Sequence, residues 1–576
     1  MAADGESEHL ARNNIDSASF STERESQILD AVAAAKRGGW KTFPFITGTA
    51  VGMQLSNVGW AANLIVYLIQ EFNISNINAT RISNVVNGCS LLFPVLGAII
   101  ADSLFGCFTV ISISTFISLV GSSLLTVTAS LDSLRPQRCE IGSSFCQTPS
   151  KSQFAALYAS LALLCIGIGG SRYTLTTMGA YQHDKPQHQE IFFNWFFVAL
   201  NISSVISVTV LVYIEENVSW RLGFGLCLAA NFVAFAIFQL GKHFYRLDKP
   251  HGSPFIDLAR VIVATVRKWK VVPSTRSEDY YQENNHETMN ALPTTLKQDF
   301  RFLNRAALKT EGDIRADGSI AKSWRLCSVQ EVEDLKALIR IFPLWSSGLM
   351  LSTAANVANS LTILQVLTMN RHLGPHFKIP AASVGVIRFL SFSIFLIFVD
   401  RLLSPLWQKL TRRSLMPLQR IGAGHLVTAT GMVVSALVES KRLKIAHAHP
   451  FDSTVPMLAV LLFPQLVLDG IGESFYFPGQ VSLYYQEFPV SLRSTSTSMM
   501  AMILGISFYL STAFIDIIRD VTAWLPDNIN NGRVDNVYWT LVVLLAVNFC
   551  YYMVCSWLYK YQNSERVADD SFGSAR

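Results

Sequence analysis

Residues 154–181 read FAALYASLALLCIGIGGSRYTLTTMGAY. From Phe154 to Gly170 the run has no charged residue, as a helix crossing the bilayer requires over about 20 residues. Arg172 then interrupts it, followed by Thr174, Thr176 and Thr177. On a helix Arg172 and Thr176 share a face. An arginine at such depth is costly unless it faces protein or water. Either it snorkels to the headgroups or it lines a solute path, and we take the second.

Outward from this stretch, the chain repeats the pattern. Half of its 576 residues are hydrophobic and 15% are charged, less charge than soluble domains carry. The net charge of +5 is small and says nothing about nucleic acid. Residues 1–35 are polar, no signal peptide is visible, and the first apolar block begins near Phe43. Twelve blocks of spanning length follow, near 43–70, 82–101, 108–130, 154–180, 190–214, 220–241, 338–368, 383–404, 415–438, 455–478, 494–518 and 537–559. The fold expected is an all-α membrane protein of two six-helix bundles, with a transport site between them. The division is a tail over 1–40, a bundle over 41–241, a linker over 242–336, a second bundle over 337–560 and a tail over 561–576.

The loops orient the chain. The glycosylation sequons at Asn73 and Asn78 lie between blocks 1 and 2, and that at Asn217 between blocks 5 and 6. A fourth, Asn201, is inside block 5 and reads as silent. Cys139 and Cys146 fall on the same face as the three loop sequons, where an oxidising compartment allows a disulfide. The other face is cytosolic on this reading and holds both termini. It carries Lys36, Arg37 and Lys41, then Lys409, Arg412 and Arg413. Lys441, Arg442 and Lys444, between blocks 9 and 10, break the positive-inside tendency. In the linker, Phe255 to Lys270 mixes apolar residues with Arg260, Arg267, Lys268 and Lys270. It reads as an amphipathic helix on the lipid surface.

Block 10 holds Glu473, with Asp469 one turn earlier and Gly470 and Gly472 alongside. Arg172 is 18 residues past Phe154, and Glu473 is 18 past Val455. At about 1.5 Å per residue both lie roughly 27 Å along helices entering from one side. The two charges are therefore expected level, with Glu473 pairing with Arg172 when the site is empty. Such a pair either marks the solute path or locks the halves together. No phosphate-cradling G-x-x-x-x-G-K-[ST] and no zinc-binding H-E-x-x-H is present. His447 and His449 read as solvated loop residues. The expectation is a carrier without cofactor, driven by existing gradients, rather than an enzyme.

GAIIADSLFG (97–106) resembles the loop between helices 2 and 3 of the major facilitator superfamily. FFNWFF (192–197), WRLGFG (220–225), VDRLLSPLWQKLT (399–411), LQRIGAG (418–424) and GIGESFYFPGQ (470–480) resemble the plant nitrate-peptide branch of the proton-dependent oligopeptide transporters. The resemblance spans nearly the whole chain. It implies twelve helices, alternating access and a cytosolic loop between helices 6 and 7.

The departures from that family are informative. Its proton-coupling E-x-x-E-[RK] on helix 1 aligns with Ala50-Val51-Gly52-Met53-Gln54, none of which can bind and release a proton. Its helix 4 lysine is Arg172, its loop arginine is Cys107, and its F-G-A-D-Q-F-D is Met178 to Asp184. Losing two acids beside a retained cation makes the cavity more electropositive. The pattern is similar to the nitrate excretion subgroup, which implies passive, proton-independent efflux of nitrate, and of chloride, across the plasma membrane. The alternatives are a larger organic anion, a peptide, or a non-transporting anion sensor. Candidate substrate contacts are Arg172, Glu473, Gln54, Thr176 and Asn356. Gln54, Asn63, Tyr67, Asn356 and Gln365 read at least as well as interhelical hydrogen bonds. Arg388 reads as snorkelling, and Asp102 as fixing a loop.

Overall fold

The structure is a computed structural model. It describes residues 37–137, 148–183, 185–247, 254–274, 276–282, 299–315, 320–374, 377–412, 415–449, 454–487 and 495–559. Cys139 and Cys146 lie outside the described residues.

Twelve spans follow one another as expected. They are α1 (Phe43–Ala62, continued by Leu64–Phe72), α2 (Asn76–Phe105), α3 (Cys107–Ser130), α4 (Lys151–Tyr181), α5 (Ile191–Asn217), α6 (Trp220–His243), α7 (Val329–Thr368), α8 (Ala382–Thr411), α9 (Pro417–Ala448), α10 (Phe463–Glu487), α11 (Thr495–Val521) and α12 (Val534–Leu558). Among the described residues, ten of these helices are long and apolar enough to cross a membrane on length and composition alone. The remaining two are α1 and α10. Both carry polar side chains at mid-length, so both need neighbours rather than lipid around them. α1 breaks at Asn63, whose side-chain amide donates to the buried Glu215 on α5 at 3.1 Å.

Several boundaries differ from the sequence reading. α7 starts at Val329, inside the stretch assigned to the linker, where Ser328 and Glu331 cap each other's backbone N–H groups. α9 runs to Ala448, so Lys441, Arg442 and Lys444 stand on a helix and not in a loop. Arg442 is wholly buried and grips Glu439 through Nε and Nη2, each at 2.7 Å. It is therefore not an interfacial charge, which accounts for part of the exception to the positive-inside tendency. Val455–Leu458 is not helical; it pairs in parallel with Met369–Asn370. The loop holding Asn73 is only three residues long, and Asn78 falls in the first turn of α2. Asn217 is exposed at the end of α5.

α3 packs on α4 and α6, and α4 on α2; in the second bundle α9 packs on α10 and α12, and α8 on α10. The bundles are clasped at the end opposite the linker. There Arg371 pairs with Glu216, and Glu216 also accepts from the Ala381 N–H at 3.0 Å. Arg81 pairs with Asp516 at 2.9 Å, and Asn84 joins Ser511 at 3.1 Å and Ser360 at 3.1 Å.

The linker helix, Pro254–Arg267, buries Leu258, Val261 and Ala264 against the 301–307 turn and α7. Arg260 pairs with Glu331 in the α7 cap at 2.5 Å. Past its end, the buried Lys268 meets the buried Asp313 at 2.8 Å. Burial alone would push the Asp313 carboxyl up. Hydrogen bonds from Lys268 and Thr310, with the charges of Lys268 and Arg325, outweigh that and hold it below the usual carboxylate range.

Because the folded-state pKa is lowered, the docking that Asp313 contributes is complete above an ordinary carboxyl pKa near ~4. It is lost as pH falls through the lowered value. Asp313→Ala strands the Lys268 charge, at a cost of about 3–5 kcal/mol for a broken buried pair. Backbone hydrogen exchange across 299–327 should rise in that variant and in acid, with the bundles unchanged. Equal exchange in the variant and the parent would show that the linker is held by its apolar face alone.

Candidate functional site

A cavity lies within the second bundle, between α7, α8, α9, α10 and α11. Its polar lining is Ser352, Asn356, Arg388, Thr428, Asp469 and Glu473. Glycines on α10 bring its walls together. A Cβ at Gly470 would meet the Arg388 carbonyl oxygen at 2.5 Å, and one at Gly472 would meet the Thr428 hydroxyl at 2.3 Å. Only glycine lets α8 and α9 approach α10 this closely. The approach carries Arg388 to Glu473.

The Arg388–Glu473 contact is loose. Nη1 and Oε1 are 3.7 Å apart, an ion pair without a hydrogen bond. Both side chains are partly open to the cavity, at 20% and 24% exposure. The Arg388 Nε–H is enclosed and lacks a partner among the described residues, as does Asp469 Oδ1. Asp469 and Glu473 are four apart on α10 and face the same cavity. The interior open to the centre of a water-sized sphere is about 30 Å³, room for one or two waters. Asn356 lines this space while donating to Ser507 on α11 at 2.7 Å.

The expected pairing of Glu473 with Arg172 is not what the structure shows. Arg172 is exposed on α4 and has no ion pair among the described residues. The depth argument failed because α10 begins at Phe463, not Val455, and α4 at Lys151. Glu473 is thus ten residues into its helix and Arg172 twenty-one into its own, about 15 Å and about 32 Å. The snorkelling assignment of Arg388 is likewise corrected, since its guanidinium turns inward to the α10 carboxylates.

The other named residues are spread over both bundles. Gln54 donates to Ser204 on α5 at 2.9 Å, within the first bundle. The Thr176 hydroxyl donates to the Arg172 carbonyl at 3.1 Å, its own helix. Gln365 donates to Glu439 at 2.7 Å, and Tyr67 meets Thr128 at 3.3 Å. At the helix 1 positions, Ala50 and Met53 are buried, Ala50 in an apolar cluster with Ile111, Leu175 and Phe192. Sequence reasoning passed over His425, which is buried against the rings of Tyr476 and Tyr552. The signal for Arg388 was present: it is the sole charge in α8 before Asp400, facing a span with two carboxylates.

Comparison with known proteins agrees with this architecture. The model of the POT family matches residues 108–531. Protein NRT1/PTR FAMILY 2.7 of Arabidopsis thaliana is 53% identical over 93% of this chain and 95% of its own. Protein NRT1/PTR FAMILY 2.6 of the same plant is 51% identical over 95% of this chain and 98% of its own. Among solved structures, an auto-inhibited POT family peptide transporter superposes with a TM-score of 0.65 at 15% identity, covering 90% of this chain and 97% of its own. A POT peptide transporter in complex with sulfate superposes with a TM-score of 0.61 at 13% identity, covering 91% and 98%.

Arg388→Met leaves two carboxylates one turn apart on the same face of α10 without their cation. The expected loss is about 3–5 kcal/mol, read as a lower melting temperature of the detergent-solubilised protein. Adding Glu473→Gln should restore much of it. A double variant no better than Arg388→Met would mean that the pair is not energetically linked.

Proposed function

We propose that this chain, which belongs to the POT family of membrane transporters, is a carrier through which nitrate, and chloride with it, leaves the cell down its electrochemical gradient. The observation that carries this reading is the cavity beside Arg388: a guanidinium partly open to it, held only loosely by Glu473, with Ser352, Asn356 and Thr428 as neutral polar neighbours. A planar guanidinium suits the oxygens of a planar anion. An inside-negative membrane drives a monovalent anion outward by about 2.3 kcal/mol per 100 mV. Export needs no proton moved along with the anion, and Ala50, Met53 and Gln54 offer no group to carry one.

Arg172 is the matching cation of the first bundle in this reading. It meets the anion with Thr176 and Gln54 nearby, and Arg388 and Asn356 receive it in the second bundle. The clasp through Arg371–Glu216 and Arg81–Asp516 closes the outer end while the site communicates with the cytosol. Alternating access then requires the clasp to part. The termini and linker are cytosolic, Asn73, Asn78 and Asn217 face outside as glycosylation candidates, and the membrane is the plasma membrane. The exposed apolar strip of Ile262, Val266 and Trp269 on the linker rests on the lipid surface. A second reading, a peptide or an amino-bearing organic anion, is favoured by one feature only: Glu473 beside Arg388 offers both charges that a zwitterion needs.

Proteoliposomes loaded with nitrate, chloride, a dipeptide or an organic anion distinguish these. Nitrate efflux should follow its gradient and the imposed potential, without protons moving in fixed ratio; a fixed ratio would sink the passive reading. Arg172→Ala should cut the flux about ten- to a hundredfold, the worth of a charge-assisted hydrogen bond. Arg172→Lys should retain part of it, with altered preference between nitrate and spherical chloride. Full flux from a well-expressed Arg172→Ala protein would remove Arg172 from the path.

A further inference from the structure

The cavity beside Arg388 holds one guanidinium and two carboxylates. With all three ionised its formal charge is −1, which repels an anion in a low-dielectric interior. A small-anion carrier with this lining is inconsistent unless one carboxylate is neutral. The loosely held pair assigns Glu473 to Arg388, at 3.7 Å. Asp469 has no such partner. Its Oδ1 is enclosed and unsatisfied among the described residues, and Glu473, one turn along the same face, is a like charge beside it.

We infer that Asp469 is the proton acceptor that admits the anion: a proton from the cavity water converts its carboxylate to a carboxylic acid, and Arg388 then takes the anion. This rests on the proposed small-anion function. Protonation brings the lining to zero net charge, and the new O–H becomes a donor that can meet an anion oxygen. The anion's seat is the part of the Arg388 guanidinium that is open to the cavity, where the contact with Glu473 is only a loose 3.7 Å. The requirement sits in the second bundle, away from the helix 1 positions, so a chain without the helix 1 acids keeps a response to acid. The proton is a condition for binding and can remain on Asp469 through the cycle.

Several neighbours of Asp469 are themselves ionisable. α8 presents Arg388, and α9 presents Gly431 against Asp469, with His425 deeper among Tyr476 and Tyr552. α10 adds Glu473 and Tyr476, α12 contributes Tyr538, and the α7 wall offers the neutral Ser352 and Asn356. Glu439 is held by Arg442 and Gln365. Only His425 and Glu473 compete with Asp469 for the assignment.

The test is nitrate binding to the purified full-length protein from about pH 5 to 8, by calorimetry. One linked proton weakens binding by up to about tenfold per pH unit on the alkaline side. Asp469→Asn should abolish this slope and keep, at alkaline pH, the affinity that the parent shows in acid. Asp469→Ser serves if the asparagine variant is poorly folded. A parental slope in both variants overturns the inference, as does loss of the slope in His425→Asn with Asp469 intact. The functional reading fails separately: nitrate and chloride would then not bind the parent at any pH, while a dipeptide or organic anion would.

Discussion

A charge cannot be left in lipid, and α10 carries two at mid-span, Asp469 and Glu473. That constraint organises the second bundle. Asp469 and Glu473 have to face protein, so α10 is enclosed by α7, α8, α9 and α11 instead of lying at the rim. Enclosure requires close walls, and Gly470 and Gly472 permit them by giving up their side chains where α8 and α9 approach. The same approach delivers the guanidinium of Arg388. Packing and electrostatics are therefore one design: the glycines that let helices touch also determine which cation the carboxylates see.

The first bundle meets the same constraint differently. Its α1 has no ionisable group at Ala50, Met53 or Gln54, and Ala50 and Met53 are buried among neighbouring helices. What polarity remains is paired inside the bundle, Gln54 with Ser204 and Asn63 with Glu215. The asymmetry is chemical as well as geometric. One half offers an exposed cation on α4, and the other a cation hemmed in by acids.

Away from the cavity, buried charges hold parts together. Arg442 and Glu439 are fully enclosed, and Gln365 and Tyr538 complete their network. Such pairs are weak sources of net stability but are costly to break, which suits fixed joints. The Arg371–Glu216 clasp joins the two bundles with both side chains largely buried, and Glu216 is further held by the Ala381 N–H.

The sequence by itself determined the number of spans, the two six-helix halves, the linker helix and the absence of ionisable residues over 50–54. Each is local: hydropathy over about 20 residues and residue identity at a motif need no partner to be read. It singled out Glu473 and Asn356 by residue type alone, and both line the cavity of the second bundle. Only the tertiary structure decided that Glu473 meets Arg388 and not Arg172, that Arg442 is a buried joint, and that Asp469 faces the cavity without a partner. Partner choice depends on where a helix starts and how it is rotated. The strand Val455–Leu458 and the 3-10 turn Ala459–Leu462 put the start of α10 eight residues past Val455, about 12 Å of helix axis. No composition or spacing carries that offset, because it is set by pairing with Met369–Asn370, more than eighty residues away in the chain.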